Sequence, residues 1–476
     1  MTDYKLLING KLVPGASKFD VLNPATEEVV AQCPKADRNQ LNEAVAAAKA
    51  AFPAWSKRPL KERAALMNKV ADALEARTEE FARLLTAEQG KPLGMAMWEV
   101  GGTAGGLRYF AGLELNDKVL KDDDDTKIVL RHSPLGVVAA ITPWNFPLIL
   151  LSIKIGPGLL AGNTMVVKPA PTTPLTTLLL GEILAEILPP GVVNVIADQN
   201  DLGDAITAHP DIAKVAFTGS TATGKKVMAS GATTLKRMTL ELGGNDAAII
   251  LEGVDPKEVA PKIFGGATMN SGQVCLAIKR VYAPESMYDE LCDELAKLAN
   301  EAIMGDGSEQ GTQLGPLQNK MQFEKVKGFL DAAHRDGKVI AGGAPLDRKG
   351  YFIPPTIVRD IPDSSMLVQE EQFAPILPIL KYTDVNDAIA RANDSEYGLG
   401  GTVWTNDLDK GFEVASQVIS GTIWVNKHLD LPFDVPFGGA KQSGIGVEYG
   451  QEGLEEYTQA TTINMSKAPL GAPSGH

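Results

Sequence analysis

The sequence predicts an α/β fold built on parallel sheets, and two observations carry that prediction. From Gly136 onward, short apolar strands alternate with helical segments, which is the βαβ signature of a parallel sheet. The chain has 476 residues, too many for one ordinary core, so two large domains are expected. The first alternation consists of a strand over 136–142, a helix over 148–161, a strand over 164–169, a helix over 174–188, a strand over 192–196 and a strand over 214–220.

The segment before Gly136 predicts a hairpin followed by helices. Residues 4–13 read as two strands joined by an Asn-Gly turn. Asp37 is placed to cap the first helix, and Gly90 is placed to end the second. The predicted helices cover residues 37–50, 59–89 and 96–115, and the glycines of the last one indicate close packing against a neighbour. After Gly136, further elements are predicted over 286–302, 321–336, 384–393, 398–405 and 421–425.

Composition and charge exclude several classes of protein. The chain is 44% hydrophobic and 22% charged, as is usual for a globular protein in water. Its net charge of −14 argues against nucleic acid or an anionic membrane as a partner. An anionic cofactor would therefore have to bind through local backbone amides and a few cations.

The cysteine usage predicts neither a disulfide framework nor a metal site. Cys33, Cys275 and Cys292 form an odd and scattered set, and the five histidines show no metal-ligand spacing with them. The N-terminal residues lack the basic and apolar regions of a signal peptide. The most apolar tract, residues 137–160, is interrupted by prolines and Lys154, which argues against a membrane span. We therefore predict a cytoplasmic protein.

Cys275 is the leading candidate for a nucleophile. It follows Ser271-Gly272-Gln273, and glycine allows the backbone to turn tightly and present a side chain to a pocket. A thiolate adds readily to a carbonyl carbon. The alternative is an inert buried cysteine, which is a common use of this residue.

Two polar residues upstream could assist such a nucleophile. Glu241 stands between two leucines before Gly243-Gly244, and an apolar site can raise a carboxyl pKa and suit it to general-base work. Its alternative is an ordinary exposed strand-end carboxylate. Asn145 lies between two prolines, where a rigidly held amide can donate a hydrogen bond to an oxyanion. Its alternative is a turn asparagine.

In this order, these segments and others resemble the NAD(P)-dependent aldehyde dehydrogenase superfamily over nearly the whole chain. The segments that carry the resemblance are PWNFP at 143–147, VVKPA at 166–170, FTGSTATG at 217–224, LELGG at 240–244, GQVC at 272–275, EEQFAP at 370–375 and PFGGAKQSG at 436–444.

The resemblance implies a Rossmann-like parallel-sheet cofactor domain, an α/β catalytic domain and a small oligomerisation arm. The cofactor domain would comprise residues 1–113 and 133–243, the catalytic domain 244–445, and the arm 114–132 and 455–468. Such an arm implies a homodimer or a homotetramer. The sequence alone indicates a solvated loop at the four aspartates of residues 122–125 and β-prone residues in the tail.

The family pattern also implies a nicotinamide cofactor. Ser220 would contact the pyrophosphate, Lys168 the adenosine ribose, and Glu371 the nicotinamide ribose. The full set of implied cofactor residues is Trp144, Lys168, Gly219, Ser220, Gly224, Leu242, Glu371 and Phe373. One departure concerns the ribose: the family commonly has Glu three residues after the lysine, and this chain has Pro171. Loss of that carboxylate makes NADP permissible, while family frequency favours NAD.

The implied chemistry is oxidation of an aldehyde. Cys275 would attack, Asn145 and the Cys275 N–H would hold the oxyanion, and Glu241 would activate water to hydrolyse the thioester. Lys154 matches a family residue that assists proton relay; its alternative is a helix lysine whose charge reaches solvent. Relatives that transfer the acyl group to CoA lack the carboxylate of Glu241, so water is the expected acceptor here.

By resemblance, the substrate pocket is entirely apolar. Succinate-semialdehyde enzymes have Arg where this chain has Ile153, so an uncharged aliphatic or aromatic aldehyde is expected. Three alternatives stay open: a semialdehyde dehydrogenase with a cation from another loop, a cofactor-independent esterase, and a catalytically silent binding protein, against which the intact Cys275, Glu241 and Asn145 argue. The implied pocket residues are Phe146, Ile149, Ile153, Val274, Leu276, Leu431 and Phe433.

Overall fold

The computed structural model describes residues 3–469 and confirms an α/β fold. The strands of its first half are β1 (Leu6–Ile8), β2 (Lys11–Val13), β3 (Ser17–Leu22), β4 (Val29–Lys35), β5 (Lys118–Asp122), β6 (Thr126–Pro134), β7 (Val137–Ile141), β8 (Thr164–Lys168), β9 (Val193–Val195), β10 (Ile212–Thr218) and β11 (Arg237–Glu241). Those of its second half are β12 (Asp246–Ile250), β13 (Ile278–Pro284), β14 (Lys338–Ala341), β15 (Thr356–Arg359), β16 (Ile376–Tyr382), β17 (Tyr397–Gly398), β18 (Gly400–Trp404), β19 (Thr422–Val425), β20 (Ala440–Lys441), β21 (Gly444–Ile445) and β22 (Thr458–Ser466).

The helices lie between these strands. They are α1 (Arg38–Lys57), α2 (Leu60–Ala76), α3 (Thr78–Gln89), α4 (Leu93–Ala111), α5 (Ile149–Ala161), α6 (Leu175–Ile187), α7 (Gly203–Thr207), α8 (Thr221–Gly231), α9 (Pro256–Thr268), α10 (Tyr288–Glu301), α11 (Lys320–Asp336), α12 (Met366–Gln369), α13 (Val385–Asn393), α14 (Leu408–Ala415) and α15 (Gly450–Glu455).

The first large sheet has the order β2-β1-β9-β8-β7-β10-β11-β21, and its five central strands are parallel. The chain runs from β7 outward to β8 and β9, and then returns to β10 on the other side of β7. This reversal opens a crevice at the carboxyl ends of β7 and β10, where α/β sheets bind their ligands. β21, which lies just inside the predicted catalytic segment, pairs with β11 of this sheet.

The second large sheet has the order β14-β15-β16-β13-β12-β18-β19 and is parallel except at β14. The two sheets meet in sequence at Leu242–Asn245, the short link between β11 and β12. Glu241 therefore ends the last parallel strand of the first sheet, and the segment that carries Cys275 enters β13 of the second.

The aspartate-rich segment is the end of a hairpin: residues 123–125 form the exposed loop that its charges indicated, and Asp122 ends β5. β5 and β6 pair around a turn at 123–125, where Asp123 Oδ1 accepts hydrogen bonds from the backbone of Asp125 and Thr126 at 3.1 and 2.8 Å. The tail strand β22 pairs along the whole of β6. The charges stay in water because every residue of β5 is exposed.

The N-terminal predictions are confirmed except at one point. Asn9 and Gly10 have φ of 52° and 72°, as the hairpin turn requires, and Asp37 caps α1 through Gln40. The long helix predicted over 59–89 is wrong, because it breaks at Arg77 into α2 and α3. Gly90 ends α3 in the left-handed conformation, with φ of 96°.

The glycines of α4 allow close packing, as predicted. A Cβ on Gly102 would lie 2.8 Å from Ile149 Cδ1, and one on Gly106 would lie 2.8 Å from Ser152 Oγ. Helix α4 therefore lies directly against α5, the helix that follows the Asn145 turn. Within residues 3–469, no helix is long and apolar enough to cross a membrane, and no cluster of three metal-ligating side chains is found.

Candidate active site

The nucleophile loop, residues 269–275, contains three consecutive residues with left-handed backbone. Asn270, Ser271 and Gly272 have φ of 51°, 56° and 73°. A Cβ on Gly272 would lie 2.4 Å from the carbonyl group of Ala374, so glycine is required there. Non-glycine residues in this region are strained, and surrounding contacts hold such strain at functional sites. The tight turn predicted before Cys275 is confirmed.

Side-chain hydrogen bonds fix the shape of this loop. Ser271 Oγ donates to the Gly315 carbonyl at 2.7 Å. Gln273 Nε2 donates to the Asn270 carbonyl at 2.9 Å, and its Oε1 accepts from the Gln318 N–H at 2.8 Å. Because these contacts are buried, they replace the water that would otherwise solvate a strained turn.

Cys275 is half-buried, whereas Cys33 and Cys292 are buried. Burial raises the pKa of the Cys275 thiol to about 12, and the nearby carboxylates of Glu371, Glu241 and Asp246 raise it further while Lys279 lowers it. The thiol is therefore protonated at neutral pH in this arrangement. Glu241 and Glu371 therefore lie within electrostatic reach of the nucleophile.

Lys279 is a buried cation beneath the nucleophile that sequence reasoning missed. Its ammonium donates to the carbonyl oxygens of Cys275 at 2.7 Å and Val274 at 3.0 Å. It also lies 3.7 Å from the Glu371 carboxylate. The lysine thus joins the loop of Cys275 to a residue of the predicted cofactor site.

We expect the reactivity of the Cys275 thiol to increase steeply with pH. Since its pKa is raised to about 12, the thiolate fraction should grow about tenfold per pH unit between about pH 7 and about pH 10. The measurement is the rate of iodoacetamide labelling, with mass spectrometry to assign the label. Buried Cys33 and Cys292 are the internal controls. A rate that levels off below about pH 9 would contradict the raised pKa.

Asn145 lies against the nucleophile loop. Its Nδ2 donates to the Gln273 carbonyl at 3.0 Å, two residues before Cys275. Its own carbonyl accepts from Asn270 Nδ2 at 3.2 Å and from Lys91 Nζ at 2.8 Å. The amide predicted to serve an oxyanion is thereby brought to the same loop as the thiol.

A buried ion pair supports the turn that carries Asn145. Lys91 and Glu99 are both inaccessible to solvent and lie 2.5 Å apart. Glu99 Oε1 accepts the Leu148 N–H at 3.0 Å, and the Lys91 ammonium lies 3.7 Å from the centre of the Phe146 ring. Sequence reasoning missed this pair, since charged residues ordinarily face water.

Glu241 lies at the end of β11 and is buried. Neither carboxylate oxygen has a hydrogen-bond partner within the described residues. Burial raises its pKa well above the usual range, and repulsion from Glu448 adds to this while Lys154 opposes it. The sequence predicted a site that raises the carboxyl pKa of Glu241, and burial has this effect in the structure.

Lys154 forms a buried ion pair with Glu448, 2.5 Å away. Sequence reasoning found Lys154 but missed Glu448, whose partner is 294 positions away in the chain. The neighbouring Tyr449 is buried, and its pKa is raised by burial and by the charges of Glu448, Cys275 and Glu241. Glu241, Lys154 and Glu448 thus form one buried polar group beside the nucleophile.

The predicted cofactor residues of the first sheet lie at its carboxyl edge. Ser220 is the N-cap of α8, and its side chain accepts from the Thr223 N–H at 3.3 Å. A Cβ on Gly219 would lie 2.5 Å from the Phe217 ring, and one on Gly224 would lie 2.4 Å from Leu242. These glycines keep the start of the helix close to the strands, which leaves its N–H groups open to an anion.

Of the remaining cofactor residues, Glu371 and Phe373 lie near the Cys275 loop, and Lys168 lies apart from it. Glu371 Oε1 accepts the Gly244 N–H at 3.0 Å, and a Cβ on Gly244 would lie 2.5 Å from the Cys275 carbonyl oxygen. Trp144 and Phe373 pack edge to face, with ring centres 5.3 Å apart. Lys168 lies at the end of β8, and its ammonium is 2.7 Å from Asp198.

The predicted pocket residues pack into or against the same hydrophobic cluster as Cys275. Phe433 stacks on Tyr109 with ring centres 6.0 Å apart and packs on Tyr449 at 5.4 Å. Trp98, on α4, meets Phe146 edge to face. The buried members are Phe146, Ile153, Val274 and Leu276, and the half-buried members are Ile149, Leu431 and Phe433.

Comparison with known proteins shows the family to which the chain belongs. The profile of the aldehyde dehydrogenase family matches residues 12–463. The chain is 39% identical to a mitochondrial aldehyde dehydrogenase of Leishmania tarentolae, over 98% of this chain and 96% of that protein. It is 38% identical to the Homo sapiens retinaldehyde dehydrogenase 3, over 97% of this chain and 92% of that protein.

Solved structures of aldehyde dehydrogenases have the same fold as this chain. An NAD+ complex of aldehyde dehydrogenase from Bacillus cereus superposes with a TM-score of 0.96 at 39% identity, covering 98% of this chain and 97% of that chain. A betaine aldehyde dehydrogenase from Staphylococcus aureus gives a TM-score of 0.95 at 32% identity, covering 98% and 95%. The chain therefore belongs to the aldehyde dehydrogenase family and is an enzyme that oxidises aldehydes to acids.

Proposed function

We propose that this aldehyde dehydrogenase oxidises an uncharged aliphatic or aromatic aldehyde to its carboxylate, with NAD as the electron acceptor and Cys275 as the nucleophile. The observation that carries the proposal is the convergence of three groups from separate segments. The strained loop presents Cys275, the Asn145 amide bonds to that loop, and Glu241 lies within electrostatic reach of the thiol.

The chemistry follows from these groups. The Cys275 thiol loses its proton to water, and the resulting thiolate adds to the aldehyde carbon, while the Asn145 amide and the Cys275 N–H hold the oxyanion. Each such donor typically lowers a barrier by about 3 kcal/mol. When bound, the nicotinamide supplies the hydride acceptor for the oxidation. Glu241 then takes a proton from the water that releases the acid from the Cys275 thioester.

The residues at the crevice fit a nicotinamide dinucleotide. The N-terminus of α8 is exposed at Ser220, and side chains at Gly219 and Gly224 would displace Phe217 and Leu242. The pyrophosphate would lie on this helix start, between Lys168 at the adenosine end and Glu371 at the nicotinamide end. Trp144, Leu242 and Phe373 would supply the apolar contacts. The Bacillus cereus relative was solved with NAD+, which supports the same cofactor here.

The buried polar group beside Cys275 supports a route for the proton. Glu241 is close enough to Glu448 and Lys154 for both to change its pKa, and Lys154 already holds Glu448 at 2.5 Å. Because neither Glu241 oxygen has a hydrogen-bond partner within the described residues, a proton passes from Glu241 to this pair only through water. The role of Lys154 is thus to hold the pair and to favour the ionised form of Glu241.

The charges around the pocket support an uncharged substrate. Ile153 occupies the position of the semialdehyde-binding arginine and is 1% exposed. The nearby cations Lys91 and Lys154 are already held in buried ion pairs. Burial raises the pKa of Tyr109, and the charges of the nearby Asp434 and Glu452 carboxylates raise it further. Two carboxylates therefore lie on the Tyr109 side of the pocket. A carboxylated aldehyde would be buried without a partner.

The test is a set of initial rates with NAD across neutral, aromatic and carboxylated aldehydes of matched length. We expect kcat/KM to be at least about tenfold higher for the neutral and aromatic members, since an unpaired carboxylate is costly to bury. A preference for a semialdehyde would mean that a cation outside the pocket residues binds it. Ester hydrolysis without aldehyde oxidation would support the esterase alternative instead.

The arm supports self-association into a homodimer or homotetramer. The strands β5, β6 and β22 form a separate sheet, and β22 is exposed at every residue after Thr458. Apolar side chains of this sheet are exposed to water, including Val119 on β5 at 51% and Ile463 on β22 at 39% exposure. Exposed apolar side chains on a sheet indicate an interaction surface. Light scattering measures the mass directly, and a value of 50.6 kDa, that of one chain, would contradict the proposal.

We propose that the protein acts in the cytoplasm. The Leishmania tarentolae relative is named as mitochondrial. Subcellular fractionation of the source cell distinguishes the two compartments.

A further inference from the structure

A buried carboxylate lies at the adenosine end of the proposed cofactor crevice. Lys168 is the last residue of β8, and Asp198 follows the neighbouring parallel strand β9 by three residues. Their side chains are 4% and 1% exposed, and Lys168 Nζ lies 2.7 Å from Asp198 Oδ1. Asp198 Oδ2 accepts the Leu202 N–H at 2.8 Å, which fixes the carboxylate in this position.

The second contact of Lys168 comes from the same loop. Asn200 Oδ1 accepts from the ammonium at 3.0 Å, and Asn200 has a left-handed backbone with φ of 71°. The loop therefore folds back over Lys168 and supplies both a charged and a neutral acceptor to it.

The Asp198 carboxylate and the one that this chain lacks both concern Lys168. The family pattern has a glutamate three residues after the lysine, and Pro171 occupies that position here. Because parallel strands end at one edge of the sheet, a residue after β9 can reach a lysine that ends β8. Asp198 thus restores a negative charge beside Lys168 from a different strand.

We propose that Asp198 is the residue that makes this enzyme select NAD over NADP. The inference rests on the proposed function, since it concerns the cofactor of that site. Asp198 acts through Lys168: its charge cancels that of the ammonium, so a 2′-phosphate gains no net attraction there and is repelled by the fixed carboxylate. Burial of the pair strengthens that repulsion, because little water screens it. A ribose 2′-hydroxyl carries no charge and is not opposed in this way.

The test compares Asp198→Asn with the wild type in cofactor binding, without aldehyde. Isothermal titration calorimetry would give Kd for NAD and NADP, and for ADP-ribose and its 2′-phosphate, which lack the nicotinamide. We expect the wild type to bind NAD at least about tenfold more tightly than NADP, and Asp198→Asn to shift that ratio at least about tenfold toward NADP. The affinity for NAD should change by less than about threefold.

The matched control is Asp201→Asn. Asp201 is on the same loop but is half exposed and pairs with Lys35 at 3.1 Å, so the same change of charge should leave the ratio unaltered. An equal shift in both variants would make the effect one of general charge and would overturn the proposal. A ratio that Asp198→Asn leaves within about twofold would do the same.

Two further outcomes separate the inference from the function on which it rests. If Asp198→Asn loses its near-ultraviolet circular dichroism signal, the variant is not folded and the Kd values of the wild type provide the test. In that case, wild-type binding of NADP as tight as its binding of NAD overturns the proposal. If the wild type binds neither dinucleotide, the proposed cofactor site fails, and the selection of NAD fails with it.

Discussion

Cys275→Ala should lower aldehyde oxidation by at least about a thousandfold, because the remaining groups can position a substrate but cannot form a covalent adduct. The structure adds that no other cysteine can substitute. Cys33 and Cys292 are buried, whereas Cys275 is half-buried, so an aldehyde has no access to the other two thiols. The measurement is the initial rate of reduced-nicotinamide formation at a saturating concentration of a neutral aldehyde.

The control for this variant is cofactor binding. The Cys275 side chain makes no hydrogen bond that holds its loop, whose shape depends on Ser271, Gly272 and Gln273. The affinity for NAD should therefore be unchanged. Cys292→Ala removes a thiol from α10 and should keep most of the activity. Oxidation by Cys275→Ala at a rate within about tenfold of the wild type would remove Cys275 from the nucleophile role.

Glu241→Gln should separate the two halves of the reaction. The amide keeps the shape of the carboxylate but cannot take a proton, so the thioester should form and then hydrolyse about 10²- to 10⁴-fold more slowly. A burst of reduced nicotinamide equal to the enzyme concentration, followed by slow turnover, is the expected time course. Mass spectrometry should find the acyl group on Cys275.

The pH dependence of hydrolysis gives a second measurement. The pKa of Glu241 is raised by burial and by Glu448, so its proton is retained at pH values where an exposed glutamate is ionised. Only the ionised form acts as a base, and the wild-type hydrolysis rate should therefore rise with pH through that pKa. In Glu241→Gln this rise should vanish. The exposed Glu252 offers a control, since Glu252→Gln should leave both the rate and its pH profile unchanged. Normal turnover of Glu241→Gln without accumulated acyl-enzyme would exclude the base role.

The sequence determined the fold class, and the resemblance of its ordered motifs to the family indicated the segments proposed for the site. Local signals were sufficient for the fold class and the turns: the alternation of strands and helices from Gly136 onward, the Asn9-Gly10 turn, the cap at Asp37 and the glycine before Gln273. Each of these signals depends on the conformational preference of a few neighbouring residues, which can be read directly from the sequence. The break at Arg77 was not predicted, because the residues on both sides of it within 59–89 favour a helix. Only tertiary packing decides where the direction of the helix axis changes.

The tertiary structure alone decided which charges are buried and with whom they pair. Glu448 meets Lys154 across 294 positions, Lys279 lies beneath Cys275, Glu99 supports the turn of Asn145, and Asp198 reaches Lys168. In sequence each of these residues looks like an ordinary solvated charge. The attraction between two opposite charges becomes strong only where the fold excludes water. The path of the chain through the fold, rather than the neighbouring residues in sequence, decides which partner each charge meets there.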